Sequence, residues 1–192
     1  MNNDAFLKPT TREEFVASTR QRRSLAGADM SNLDLSGVKV AGGNLAGANL
    51  RNANLSGARF AGTNLSEADL TGAQLTGATI AGTNLTRARL AGASLAGIRM
   101  AAVNLSNADL TEADLSGSRL VAVNVTGADF SGARTTEARA DAIDWSQAKV
   151  PPAEIPQTGA PLPWDGLRTG IVVGAALLLV IFLLIKWRRA LA

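Results

Sequence analysis

The fold class predicted by this sequence is an all-β solenoid, a quadrilateral β-helix of about six coils with an N-terminal capping helix and a C-terminal transmembrane helix. Three observations predict it. An apolar residue stands at nearly every fifth position between Leu25 and Val150. Residues twenty apart match better than residues five apart. Aromatics are only 4% of a chain that is 46% hydrophobic, so the interior has to be filled by Leu and Ala rather than by rings.

The five-residue series begins Leu25, Met30, Leu35, Val40, Leu45, Leu50, Leu55, Phe60 and continues to Phe130. Ala or another small residue stands two places before most members, as at Ala48, Ala53, Ala58, Ala68 and Ala73. Five residues turn an α-helix by about 500°, so on a helix the series would share no face. On a flat strand its members would alternate sides. A coil that corners every five residues points the apolar residue and the small residue before it inward together. Such coils stack as neighbouring strands do, about 4.8 Å apart.

The twenty-residue period sets the number of sides. Asn44, Asn64, Asn84, Asn104 and Asn124 form one series, ending in Asp144; Lys39, Arg59, Arg99, Arg119 and Arg139 form another, broken at Thr79. Val40, Phe60, Ile80, Met100 and Leu120 are the one inward series where other residues displace Leu. Twenty residues per turn and five per side give four sides. The stretches Ala48-Asn49-Leu50-Arg51-Asn52, Ala53-Asn54-Leu55-Ser56-Gly57 and Ala113-Asp114-Leu115-Ser116-Gly117 resemble the A(D/N)Lxx unit of the pentapeptide-repeat proteins, and the resemblance extends over about two thirds of the chain. It implies a right-handed quadrilateral β-helix; the handedness comes from the family alone.

An open solenoid end exposes apolar interior and unpaired backbone, and so requires a cap. Thr11-Arg12-Glu13-Glu14 has capping-box spacing, which predicts a short helix to about Arg22 with Phe15, Val16 and Thr19 on one side, within an N-terminal segment 1–24. The repeat domain, 25–150, decays after Thr135 and closes on Ile143, Trp145 and Val150, with Trp145 plugging the last coil. Pro151, Pro152, Pro156, Pro161 and Pro163 mark residues 151–169 as an extended linker. Ile171 to Ile185 has no polar side chain, and Leu167 to Trp187 would span about 31 Å as a helix, the thickness of a hydrocarbon core. Residues 170–187 are therefore expected to cross a membrane once, flanked by Trp164 and Trp187, with a basic tail at 188–192.

The net charge of +3 sits at the two ends. Residues 25–150 carry ten Lys or Arg against eleven Asp or Glu, which leaves the rod near neutral and points away from nucleic acid as a partner. With no Cys and no His, thiol and imidazole nucleophiles and Cys/His zinc sites are excluded. The carboxylates follow the repeat, and no phosphate-cradling loop is present, so no catalysis, cofactor or metal site is expected.

Four features are candidates for binding. Lys39, Arg59, Arg99, Arg119 and Arg139 would stack into a basic edge for an acidic partner. Asp29, Asp69, Asp109 and Asp129 lie ten residues away, on the opposite side. Ala41, Ala61, Ala81, Ala101 and Val121 open a smooth flat face between the basic series and the Asn series, and the Asn series itself reads as a structural amide ladder. Gly170 and Gly174 form a GxxxG pattern through which two apolar segments could dimerise. Ile155-Pro156-Gln157-Thr158-Gly159, ahead of an apolar stretch and a basic tail, looks like a cell-wall sorting signal, although the N-terminus lacks a signal-peptide pattern.

These features favour a non-enzymatic, membrane-anchored scaffold in a bacterial cytoplasmic membrane, with the repeat domain on the cytoplasmic side and flat faces offered to a protein partner. The family resemblance brings an alternative, a DNA-mimicking topoisomerase-protecting rod, which the neutral charge and the anchor disfavour. A sortase-anchored surface protein and a secretion-system adaptor or effector are the remaining readings.

Overall fold

A computed structural model of the chain describes residues 9–21 and 23–158. Six short strands, β1 (Lys39–Ala41), β2 (Arg59–Ala61), β3 (Thr79–Ala81), β4 (Arg99–Ala101), β5 (Arg119–Val121) and β6 (Arg139–Asp141), stack in sequence order into one parallel sheet. Each pairs with the next at a register of twenty, from Lys39 opposite Arg59 to Arg119 opposite Arg139. The other three sides are parallel ladders of single bridges: Asp29–Asn49–Asp69–Arg89–Asp109–Asp129, Asp34–Asn54–Gln74–Ser94–Asp114–Arg134, and the Asn series from Asn44 to Asn124. Four ladders per twenty residues are the four expected sides. Five full turns separate β1 from β6, against about six coils expected over 25–150; the remainder is a partial coil before β1 and a non-repeating closure after β6.

Backbone hydrogen bonds account for the stacking. Leu50 N–H donates forward to Asp69 C=O at 2.7 Å, and Asp69 N–H donates back to Ala48 C=O at 2.9 Å. The pattern repeats on every side, so the polar groups of inner coils are satisfied by their neighbours. Three corners of each coil are closed by a tight turn, as where Ala53 N–H donates to Leu50 C=O at 3.1 Å. The fourth corner follows the strands. There the bonds run between coils, Gly42 N–H to Ala61 C=O at 2.8 Å and Gly62 N–H to Ala81 C=O at 2.9 Å. This is the corner at which Val40, Phe60, Ile80, Met100 and Leu120 displace Leu. Every corner takes one residue into the left-handed region, at each fifth position from Gly27 to Ala142.

The inward series is buried as expected. Leu35, Leu55, Leu85 and Leu95, with Ala48, Ala53, Ala58 and Ala68, have no exposed surface. Phe60 and Phe130 are the large rings within this Leu/Ala interior.

At the N-terminal end α1 (Arg12–Arg20) is a nine-residue helix that buries Phe15 against the first coil. Thr11 caps it, its hydroxyl accepting from Glu14 N–H at 3.2 Å. The Glu14 carboxylate reaches back to Thr10 N–H (2.7 Å) and the Thr10 hydroxyl (3.1 Å), one residue earlier than a capping box requires. At the C-terminal end Asp144 leaves the Asn ladder and instead caps a 3₁₀ turn, Trp145–Gln147. Trp145 is half-buried and meets Phe130 edge-on, with ring centroids 5.3 Å apart.

Residues 151–158 depart from the expected extended linker. Thr135 donates its hydroxyl to Glu154 C=O at 2.5 Å, and Ala140 N–H donates to Gln157 C=O at 2.8 Å, so Gln157 adds a rung beyond β6. Pro lacks an N–H, and at this last edge Pro152 and Pro156 bury their rings without forfeiting an inter-coil bond. Among the described residues no helix is long and apolar enough to cross a membrane. The expected transmembrane segment 170–187, with Gly170 and Gly174, and the tail 188–192 lie outside the described residues.

Candidate protein-docking face

Each strand points its middle residue into the core and its first and third residues outward, since successive side chains of a strand alternate. The repeat therefore places two of the candidate sets on one surface. The first residues form a column of Lys39, Arg59, Thr79, Arg99, Arg119 and Arg139, and the third residues a parallel column of Ala41, Ala61, Ala81, Ala101, Val121 and Asp141. At the strand spacing of about 4.8 Å, the six rungs extend about 24 Å. The residues flanking the first five strands are small: Gly37, Gly57, Gly77, Gly97 and Gly117 on one side, Gly42, Gly62, Gly82, Ala102 and Ala122 on the other; at β6 the equivalent residues are Glu137 and Ala142. Little shields the cations of the first rungs, whereas two acids, Glu137 and Asp141, stand two residues either side of Arg139; Val121, 36% exposed, is the one large apolar side chain among these outward residues. Between the last three arginines lies an open hollow of about 340 Å³ lined by Gly97, Arg99, Gly117, Ser118, Arg119, Glu137 and Arg139.

The ion pairs found among the described residues lie off this face. Asp69, on the opposite ladder, accepts from Arg51 at 3.2 Å and has Arg89 at 3.7 Å; Lys149 meets Asp129 at 2.9 Å. On a neighbouring ladder Arg134 meets Asp114 at 2.7 Å. These carboxylates also hold their own corners. Thr71 donates both N–H (3.0 Å) and hydroxyl (2.6 Å) to Asp69, and Ser131 does the same for Asp129. The Ser131 hydroxyl, with Lys149 and the Ser131 N–H, pulls the Asp129 carboxyl down to about 2. For Asp114 the Ser116 hydroxyl is the largest cause of a lowered pKa. At Asp69 burial pushes upward, but the two Thr71 bonds and Arg51 outweigh it.

Two of the four acids of that side, Asp69 and Asp129, are thus paired with cations, which the sequence spacing did not reveal. Arg51, Lys149 and, on the neighbouring ladder, Arg134 sit 18 or 20 residues from their partners, a spacing meaningful only once the coil length is known. The Asn ladder is looser than expected: Asn84 Nδ2 donates to Asn64 Oδ1 at 3.4 Å and Asn64 Nδ2 to Asn44 Oδ1 at 3.5 Å. Their shorter bonds cap corners, as Asn84 Oδ1 accepts from Thr86 N–H at 3.1 Å and the Thr86 hydroxyl at 2.6 Å.

Of the Ile155-Pro156-Gln157-Thr158-Gly159 stretch, Ile155 is exposed, Pro156 is buried and Gln157 pairs with the β6 rung, while Gly159 lies outside the described residues. Among the described residues no cluster of three or more Asp and Glu is placed to hold a metal ion.

The family model described as pentapeptide repeats matches the chain in overlapping stretches, residues 44–82, 68–107, 83–120 and 98–134. No curated protein matches. Among solved structures, trypsin-treated QnrB1, a plasmid-mediated fluoroquinolone resistance protein, is 27% identical over 67% of this chain and 68% of its own, with a TM-score of 0.47. A pentapeptide repeat protein from the cyanobacterium Cyanothece 51142 is 30% identical over 50% and 63%, with a TM-score of 0.29. One from the Arabidopsis thaliana thylakoid lumen is 27% identical over 65% and 68%, with a TM-score of 0.32.

Proposed function

Because the repeat region of this chain belongs to the pentapeptide-repeat family, we propose that the protein is a non-enzymatic scaffold, tethered to a membrane by residues 170–187, whose β-strand face docks an acidic protein partner. One observation carries this reading: the cations of the strand column have no counter-ion among the ion pairs of the described residues, whereas Asp69, Asp114 and Asp129 each have one. A rigid row of cations beside small residues supplies electrostatic steering and close approach together.

The pairing of Asp69 and Asp129 on the opposite ladder weighs against the alternative of a DNA-mimicking topoisomerase protector, because such mimicry needs exposed, uncompensated acids. The tether rests on the apolar run from Ile171 to Ile185 and on the basic residues Lys186, Arg188 and Arg189 that follow it.

Crosslinking of the full chain in native membranes, with identification of the captured protein and accessibility of both termini, tests the proposal. Arg59→Glu, Arg99→Glu and Arg119→Glu together are expected to abolish capture. Unchanged capture overturns the docking role, and extraction of the chain by carbonate overturns the tether.

A further inference from the structure

The spacing of the column selects the shape of its partner. Resting on the docking role proposed above, we infer that the strand face receives an amphipathic α-helix of the partner, about four turns long, with an acidic stripe over the cation column and an apolar stripe over the small-residue column.

Cations recur along the rod every 4.8 Å or so. On an α-helix, acidic residues at i, i+4, i+7 and i+11 recur about every 5.4 Å along the axis. A helix laid along the column therefore slips by about 0.6 Å per rung, or about 3 Å over the five intervals from Lys39 to Arg139. Arg and Lys have long, flexible stems that absorb such an offset. An extended partner strand presents an acid every second residue, about 6.7 Å apart, and loses a whole rung within three. The column length of about 24 Å corresponds to about 16 helical residues.

Over its first five rungs the second column supplies the rest of the fit; its sixth member, Asp141, lies beyond the apolar stripe. Ala41, Ala61, Ala81 and Ala101 carry no atom beyond Cβ, so the partner backbone can approach the sheet closely enough for the cations to reach its flank. Val121 offers an apolar contact beside Arg119. Thr79 leaves one rung without charge, so the row reads as two cations, a gap and three more.

The probes are two synthetic eighteen-residue peptides of identical composition, one with its Glu residues phased into a helical stripe and one with the same Glu residues respaced so that no stripe forms. Anionic phosphatidylglycerol vesicles are the third probe. The full chain in detergent is expected to bind the phased peptide at least about tenfold more tightly than the respaced one, with affinity falling as salt rises. Arg99→Glu with Arg119→Glu removes that preference. Thr79→Arg, which fills the empty rung at a half-buried, outward-facing strand position, is expected to tighten the phased peptide severalfold and to leave the respaced one unchanged, a gain that misfolding cannot mimic.

Equal affinity for the two peptides overturns the helix assignment and leaves the acidic docking face standing. Binding to vesicles but to neither peptide, abolished by the Arg99→Glu and Arg119→Glu change, assigns the face to lipid and overturns the inference. Indifference of every probe and of native capture to charge reversal removes the docking role itself.

Discussion

The corner after each strand contains an internal experiment on backbone strain. Its left-handed residue is Gly in three coils, at Gly42, Gly62 and Gly82, and Ala in three, at Ala102, Ala122 and Ala142, with φ between +51° and +68° throughout. Ala102 is exposed, so its methyl group adds nothing to the core. A Cβ placed on Gly62 meets nothing within 4 Å, so adding one there neither clashes nor packs. What remains is conformational. The left-handed region costs an L-residue about 1–2 kcal/mol, and the greater freedom of Gly in the unfolded chain returns about 0.5–1 kcal/mol of that advantage. Ala102→Gly is therefore expected to stabilise the protein by about 0.5–1 kcal/mol and Gly62→Ala to destabilise it by the same amount. The two sites are two rungs, or about 10 Å, apart, far enough for the effects to add, so the double variant should return to the parent stability. Urea unfolding of the full chain in detergent, followed by far-ultraviolet circular dichroism, reads the midpoint at constant slope. The corresponding thermal shift is about 1–4 °C for a chain of this size. Shifts of the same sign for both variants, or none for Ala102→Gly, would refute the argument that φ alone decides these corners.

Two further outcomes follow from the interior and from the paired carboxylate of Asp129. Ser118 is 1% exposed, its hydroxyl has no partner among the described residues, and Ala58 and Ala78 occupy the equivalent place in earlier coils; Ser118→Ala should stabilise the protein by about 1–2 kcal/mol, as read by the urea midpoint, and a loss of stability would show that the hydroxyl has a role. The Asp129 carboxyl, held near 2 in the folded state and higher when unfolded, contributes stability that is present above about pH 4 and lost as pH falls towards 2. Asp129→Asn keeps an oxygen for the Ser131 N–H but cannot titrate, so its urea midpoint should vary less with pH between 4 and 2 than that of the parent; an equal slope would assign the acid sensitivity elsewhere.

The solenoid was legible because its two periods are written in residue types. Leu at every fifth place gave the corners, and the twenty-residue recurrence of Asn and Arg gave the sides, before any contact was known. The shared strand face of the basic and small columns was legible to the same extent, since Lys39 and Ala41 occupy alternate positions of one strand. The partners across coils were not. Arg51 and Asp69, or Arg134 and Asp114, are near only because coils stack, and nothing in their local sequence marks them. The fold-back of residues 151–158 was missed for a different reason. Proline-rich composition ordinarily signals an extended spacer, but at the final edge of a parallel ladder a missing N–H costs no bond, so the same residues serve as a lid. The short reach of Glu14 to Thr10 instead of Thr11 is likewise a matter of local geometry that spacing does not specify.

The twenty-residue register also gives the chain a reading frame for insertions and deletions. Removing residues 61–80 joins Phe60 to Ala81 and shortens the rod by one rung while every remaining side keeps its neighbours. It also takes out Thr79, so that Lys39, Arg59, Arg99, Arg119 and Arg139 become consecutive. Removing only five residues from a middle coil instead turns everything downstream by a quarter and carries Arg99, Arg119 and Arg139 onto a different side from Lys39 and Arg59. A rod of this kind can change length by whole coils and keep each face in line, whereas a change of one side keeps the five-residue corners and dismantles the surface.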